Sequence, residues 1–419
     1  MKYFISSIPF FDKDMAVHAY RMMTQDGNKL MGAAEDFRLE GGALQTPALD
    51  TVAQTGIEPF AGDSDFFVEI GDYQLLMGMP MSLKLNPEKL VCVVSRNTLD
   101  DKELHSKLDI VKQNGYRIAI NGLPKNADMD FISGYFDYVL LSLKSAKFTD
   151  ELIAVFGFIE IVNLALTDIP DSETFKKFSN IKNVLLSGDF YKQPITKGKT
   201  NISPLKINAL NLLRQINDDD LDLQAVAATI EQDPALSISL LRFINTMIPN
   251  RSREIDSIRQ AVAILGQKEV KKWATVAISI GIGEDRPGEI TRLSLIRAKF
   301  AENLAPAFGL AVKSGLLFMS GLFSLIDVIL ELPMEKAVKE VSVDDEVEDA
   351  LLHNKGRFYD VLSLIFAYER ADWNNASIKM VKNNITIDEL TDAFQNALLW
   401  YKNLLNSIDD EAEKNIGKK

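Results

Sequence analysis

Three histidines and one cysteine make up all the imidazole and thiol chemistry of this 419-residue chain: His18, His105, His353 and Cys92. Metal-assisted hydrolysis needs imidazoles and carboxylates together, so that they hold ions and polarise a water. The three histidines are scattered, and none lies in the helical core of residues 218–285. His353 closes DDEVEDALLHNKG, where an imidazole meets the C-terminal carbonyls of a helix. Cys92 sits inside LVCVV, an apolar run that reads as a buried strand and leaves little room for a reactive thiol. Asp218, Asp219, Asp220 and Asp222 lack the alternating spacing and distal glutamate of a calcium loop, and suit a helix start instead. No nucleophile elbow, phosphate-binding glycine loop or metal-ligand spacing supports an unrelated enzyme chemistry.

Binding residues have two readings each. Arg251, Arg253, Arg259, Lys268, Lys271 and Lys272 gather positive charge in a short stretch of an acidic chain. They form a solvated helix face paired with acidic neighbours, or a docking patch for an acidic partner or for the first half of the chain itself. Asn245, near a helix end, hydrogen-bonds a loop backbone or serves recognition. Trp273 on the same stretch reads as core.

The elements that would position these groups change character near residue 195. Before it, apolar runs (VCVVS, YRIAI, YVLLSL, FIEIVNLAL, NVLLSG) alternate with amphipathic stretches such as Asp100 to Asn114. That pattern indicates parallel strands with helical crossovers, in a β/α barrel or an open doubly wound sheet. Residues 28–65 are small, polar and weakly periodic, as an irregular insertion would be. A linker follows at 191–204, and the period then becomes helical: Leu223, Val226, Ala227 and Ile230, then Leu236, Leu240, Phe243 and Ile244. Asp233–Pro234 marks a helix start and Gly266 a helix end. Helical patterns continue over 289–308, 316–331, 343–353, 356–371 and 387–406. The expected domains are therefore 1–195 and 196–406, with a frayed tail over 407–419.

Composition bounds the partners. With 47% apolar and 25% charged residues the chain is an ordinary globular protein. A net charge of −13 argues against duplex nucleic acid or an anionic membrane as the partner. One cysteine excludes an intrachain disulfide and suits a reducing cytoplasm. Ser314 to Leu332 is apolar but interrupted by Ser320, Ser324, Asp327 and Glu331, so a buried helix or helix pair is expected rather than a membrane span.

The first half resembles an EAL domain, the β/α barrel that in active members hydrolyses cyclic di-GMP. Its anchors occur in order: IPFFDKDMAVHAYRMM at 8–23, GYRIAINGL at 115–123, DYVLLSL at 137–143, IPDSETF at 169–175 and SGDFYKQP at 187–194. The resemblance implies two metals that activate a water for in-line attack on phosphorus. It also implies that the ligand positions are substituted here. The motif glutamate falls on Arg21 and the motif leucine on Met23. The asparagine ligand falls near Glu69, the next glutamate on Val93, and the paired aspartates on Asn121 and Gly122. The lysine falls on Leu140 and its following aspartate on Ser142, with Thr167 and Ser187 at the last two positions. The nucleotide-contacting arginine falls on Gln25, which weakens the case for cyclic di-GMP binding.

The second half resembles the HDOD domain, a helical signalling module related to HD phosphohydrolases. QDPALSISLLRFIN at 232–245, SIRQAVAILGQKEVKKWA at 257–274 and FMSGLFSLIDVIL at 318–330 carry the resemblance. The histidine–aspartate pair of HD enzymes falls on Ser324 and Leu325, which cannot hold ions. FAYERADW at 366–373 is similar to a late helix of chains in which EAL-like and HDOD halves are fused. The expected fold is thus α/β plus all-α: a degenerate EAL-type barrel followed by an all-helical HDOD domain. The expected function is a cytoplasmic bacterial signalling or scaffold protein, without catalysis or cofactor, that binds an unidentified protein partner. Cyclic-dinucleotide sensing without hydrolysis is the alternative.

Overall fold

The computed structural model describes residues 3–26, 48–124, 128–193, 222–232, 234–247, 257–282, 288–341 and 343–416, with residues 212, 213, 215, 216 and 255. Two compact units emerge: Met1–Gln193 with Phe366–Thr391, and Pro194–Ile365 with Asp392–Lys419. The first break falls beside the boundary expected near 195. Phe366–Thr391, expected within the helical domain, packs with the first unit instead.

Eight strands close a barrel in chain order: β1 (Tyr3–Phe11), β2 (Val17–Asp26), β3 (Asp65–Glu69), β4 (Leu90–Ser95), β5 (Arg117–Asn121), β6 (Tyr138–Ser142), β7 (Asn163–Ile169) and β8 (Val184–Gly188). β1 and β2 form an antiparallel hairpin, and every neighbouring pair from β2–β3 to β7–β8 is parallel. The hairpin turn is built locally: the Asp12 carboxylate accepts from the Asp14 and Ala16 amides, 2.9 Å each. Around the barrel run helices α1 (Ala48–Thr55), α2 (Glu58–Ala61), α3 (Asp72–Leu76), α4 (Lys102–Gln113), α5 (Met129–Tyr135), α6 (Phe148–Phe156) and α7 (Ser172–Phe178). Both α1 and α2 lie in the stretch expected to be irregular; residues 28–47 of it are outside the described residues.

The strand runs are apolar throughout because both faces are covered. One face of each strand fills the barrel with Phe10, Ala19, Phe67, Val91, Val93, Ala119, Leu140, Ala165 and Leu185, against which Tyr138 packs. Side chains alternate along a strand, so the next inward position on each is two residues on. Those positions are Arg21, Glu69, Ser95, Asn121, Ser142, Thr167 and Ser187. A polar layer therefore caps the apolar one at the C-terminal strand ends, where barrel sites are built.

In the second unit, α8 (Leu223–Glu231) starts on the Asp222 carboxylate, which accepts from the Gln224 amide at 2.8 Å. Asp222 thus has the helix-start role expected of it; Asp218, Asp219 and Asp220 are outside the described residues. α9 (Pro234–Met247) follows, then α10 (Ile258–Ile282), which is broken at Gly266 (φ 72°, ψ 173°), the expected stop. Beyond lie α11 (Gly288–Leu304), α12 (Ser314–Phe323), α13 (Ile326–Leu330), α14 (Met334–Val341) and α15 (Asp345–Leu352). The apolar stretch 316–331 is a helix pair that breaks at Ser324 and Leu325. α16 (Gly356–Glu369), α17 (Trp373–Asn383) and α18 (Ile387–Ile416) complete the chain. α18 continues past Ser407, from which a frayed tail was expected. Among the described residues, no helix is long and apolar enough to cross a membrane.

Candidate functional site

The barrel mouth gathers most of the positions singled out in the first half of the sequence. Arg21 Nη2 donates to Glu69 Oε1 at 2.5 Å, and the Arg21 side chain is only 11% exposed against 41% for Glu69. Its Nε is buried without a hydrogen-bond partner. Val93 and Leu140 are buried in the apolar layer below and offer no donor. Met23 continues the inward parity of Arg21 and is half-buried. Asn121 is exposed at the end of β5. Gly122 adopts φ 74°, which lets the chain leave the strand beside Arg96 and Glu151. Ser187 is buried.

On the β6–β7 side, Ser142 Oγ donates to Asp168 Oδ2 at 2.5 Å and Thr167 Oγ1 to the same oxygen at 3.2 Å, while Lys144 Nζ sits 2.8 Å from Oδ1. Burial opposes the charge of Asp168, but these three donors outweigh it and hold the carboxyl below its ordinary range. Asp168 adopts φ 65°, a left-handed conformation unusual for a residue other than glycine. Sequence reasoning missed it; the signal was a carboxylate directly after the inward Thr167.

A pair of metal ions does not fit this donor set. It requires several converging oxygen ligands. The one carboxylate of the inward layer, Glu69, already faces a guanidinium, and the neighbouring positions are Val93, Asn121, Leu140 and Ser142. No step through a metal follows for this chain.

In the second unit, Ser324 also lies against an arginine. Arg297, on α11 and 5% exposed, donates from Nη1 to Ser324 Oγ at 3.0 Å, and Ser324 Oγ donates to the Gly321 carbonyl at 2.7 Å. Leu325 is buried. Burial raises the Asp327 carboxyl, and Arg297 acts against that rise. Neither Arg297 nor Asp327 was singled out from sequence, because nothing local links α11 to the α12–α13 break.

The proposed basic surface is partly corrected. Asn245 donates to the Ile255 carbonyl at 2.9 Å and accepts from the Ile255 amide at 2.8 Å, so its side chain ties a loop backbone and is not free for recognition. Lys272 lies 2.7 Å from Glu302, which also takes Lys299 at 2.9 Å, and sits over the Phe318 ring at 4.8 Å. It belongs to an inter-helix contact, not to a docking face. Arg259 pairs with Glu231 at 3.3 Å, and Trp273 is core. Lys268 is exposed and Lys271 half-buried on α10; Arg251 and Arg253 lie outside the described residues. His18 is 4.0 Å from Asp12 at the surface, and His105 packs edge-on against Phe131 and Tyr135.

The HDOD domain family model matches residues 202–355, downstream of the closed eight-stranded barrel. The second half of the chain thus carries an HDOD-type segment. Two curated proteins match nearly the whole chain. It is 25% identical over 418 residues to the uncharacterized protein YuxH of Bacillus subtilis, covering 97% of this chain and 100% of YuxH. It is 22% identical over 404 residues to the cyclic di-GMP phosphodiesterase CdgJ of Vibrio cholerae, covering 96% of this chain and 93% of CdgJ. Among solved structures, the calcium and cyclic di-GMP complex of BlrP1 from Klebsiella pneumoniae matches 46% of this chain at 10% identity with a TM-score of 0.34. That match spans 56% of the BlrP1 chain.

Proposed function

We propose that this EAL–HDOD chain is a non-catalytic signalling protein of the bacterial cytoplasm that acts by binding a protein partner. The observation that carries this reading is the Arg21–Glu69 pair: a buried guanidinium takes up the one carboxylate in the inward layer of the barrel mouth. A fold whose packing persists while its ligand positions hold Val93, Leu140 and Ser142 is retained for its surfaces. CdgJ bears the name of a cyclic di-GMP phosphodiesterase, which points to cyclic di-GMP signalling as the setting. At 22% identity that name does not carry over its activity, and the residues of the mouth support the non-catalytic reading.

One observation favours a second reading, cyclic-dinucleotide binding without turnover. The Nε of Arg21 is a buried donor without a hydrogen-bond partner, and a phosphate oxygen is an acceptor that would satisfy it. Calorimetric titration with cyclic di-GMP, with and without magnesium, separates the two. Absence of heat at concentrations well above micromolar supports protein binding. Heat saturating at one site per chain selects the sensor. Hydrolysis that scales with protein and stops with chelator would overturn both.

A further inference from the structure

The barrel closes weakly at one place. β1 pairs with β2 along its whole length, from Tyr3↔Asp26 to Phe11↔Val17, but meets β8 at a single pair, Phe11↔Leu186. Because β1 runs antiparallel, its first residues stand beside the last residues of β2, at the mouth end, where β8 has already stopped at Gly188. Among the described residues, the outer edge of β1 near Ile5 and Ser6 thus lacks a strand partner. An uncovered edge of this kind pairs with other chains.

Residues 366–373, FAYERADW, cover that edge. The Ile5 amide donates to the Tyr368 hydroxyl at 3.2 Å, and Ser6 Oγ donates to the Glu369 carbonyl at 3.3 Å. The Trp373 ring stacks on Phe4 with centroids 5.3 Å apart and planes 7° from parallel, and the Tyr368 ring stands edge-on to Trp373 at 5.5 Å. On the other side of the gap, Arg370 Nε lies 3.7 Å from Asp189, the residue directly after β8. Ala371, at φ 54°, breaks the chain between α16 and α17, so that Arg370 and Trp373 reach opposite sides of the seam. Asp372 then starts α17 by accepting from the Asn375 amide at 3.2 Å. Four of the eight residues hold β1 or β8 by side chain or backbone.

We propose that Tyr368–Trp373 is a latch that closes the mouth-side seam between β1 and β8, and that its release opens the barrel there and nowhere else. Opening would free a strand edge able to take an extended peptide. It would also loosen the wall beside Arg21, since Ile8 of β1 is the partner of Arg21.

Amide hydrogen exchange on the full chain tests this. Tyr368→Phe removes the acceptor of the Ile5 amide, and β1 peptides containing Ile5 should exchange about fivefold faster, the factor set by one net hydrogen bond. Peptides from β4 to β6 should keep their wild-type rates. Arg370→Ala, at an exposed position, should speed exchange at the same seam by a smaller factor, and it decides the matter if the tyrosine variant does not fold. Unchanged β1 exchange in both variants overturns the latch. Equal loosening of β1 and of β4 to β6 also overturns it, because Tyr368 would then be ordinary core.

Discussion

Arg21 and Glu69 are unequal partners, and the inequality predicts which substitution hurts. Arg21 is nearly enclosed, whereas Glu69 is 41% exposed and can be hydrated when alone. Glu69→Ala strands a buried charge, an error that costs about 3 kcal/mol. Arg21→Met leaves a wet carboxylate and an apolar chain of similar length, with a loss of about 1 kcal/mol. Urea unfolding of the two variants should rank them in that order. Asp168 gives a residue-level pH prediction. Its folded-state pKa is depressed, so its contribution to stability is present above the unfolded value and is lost as pH falls through the folded one. Asp168→Asn, which tolerates the left-handed backbone, should flatten the acid limb of a stability-against-pH curve. Arg21 and Ser324 were singled out in the sequence, since the resemblances imply chemistry-bearing residues at these positions. Their new partners were not. Glu69 lies 48 residues from Arg21 and Arg297 lies 27 from Ser324, and only the folded chain brings such pairs together.

At the scale of elements, α11 and α12 approach so closely that one atom decides their spacing. A Cβ at Gly321 would meet the Arg297 carbonyl oxygen at 2.5 Å and the Ala298 Cα at 2.7 Å. Gly321→Ala should therefore force the helices apart and cost about 2 kcal/mol, against the small gain alanine gives in an unconstrained helix. A thermal melt with Gly315→Ala as control reads the difference, because a Cβ at Gly315 on the same helix meets nothing within 4 Å. Separation at Gly321 would also move Arg297 away from Ser324, to which it donates a hydrogen bond. The elements themselves were largely legible. Strands buried on both faces leave continuous apolar runs, and Asp222, Pro234 and Gly266 mark helix ends by local chemistry. The tight crossing was not legible, because a glycine in an apolar helix reads the same whether or not a neighbour approaches it.

The whole chain departs from the linear order of its two patterns. After Gln193 it leaves the barrel unit, and it returns over Phe366–Thr391 before leaving again. The sequence hides this return, because FAYERADW continues a helical period that begins at Gly356, and periodicity does not say what a helix packs against. A fragment of residues 1–195, the boundary suggested by the change of pattern, should therefore be an incomplete unit. It would expose Phe4 and leave the Ile5 amide without its acceptor at a seam that has one strand pair. Such a fragment is expected to aggregate and to unfold without a cooperative transition. Joining residues 366–391 to it through a flexible linker should restore a cooperative transition, since the linker adds only a slowly growing entropy of loop closure. Calorimetry of the two fragments gives the comparison. A cooperative, monomeric 1–195 fragment would mean that the barrel closes its own seam and that the returning segment merely rests on it.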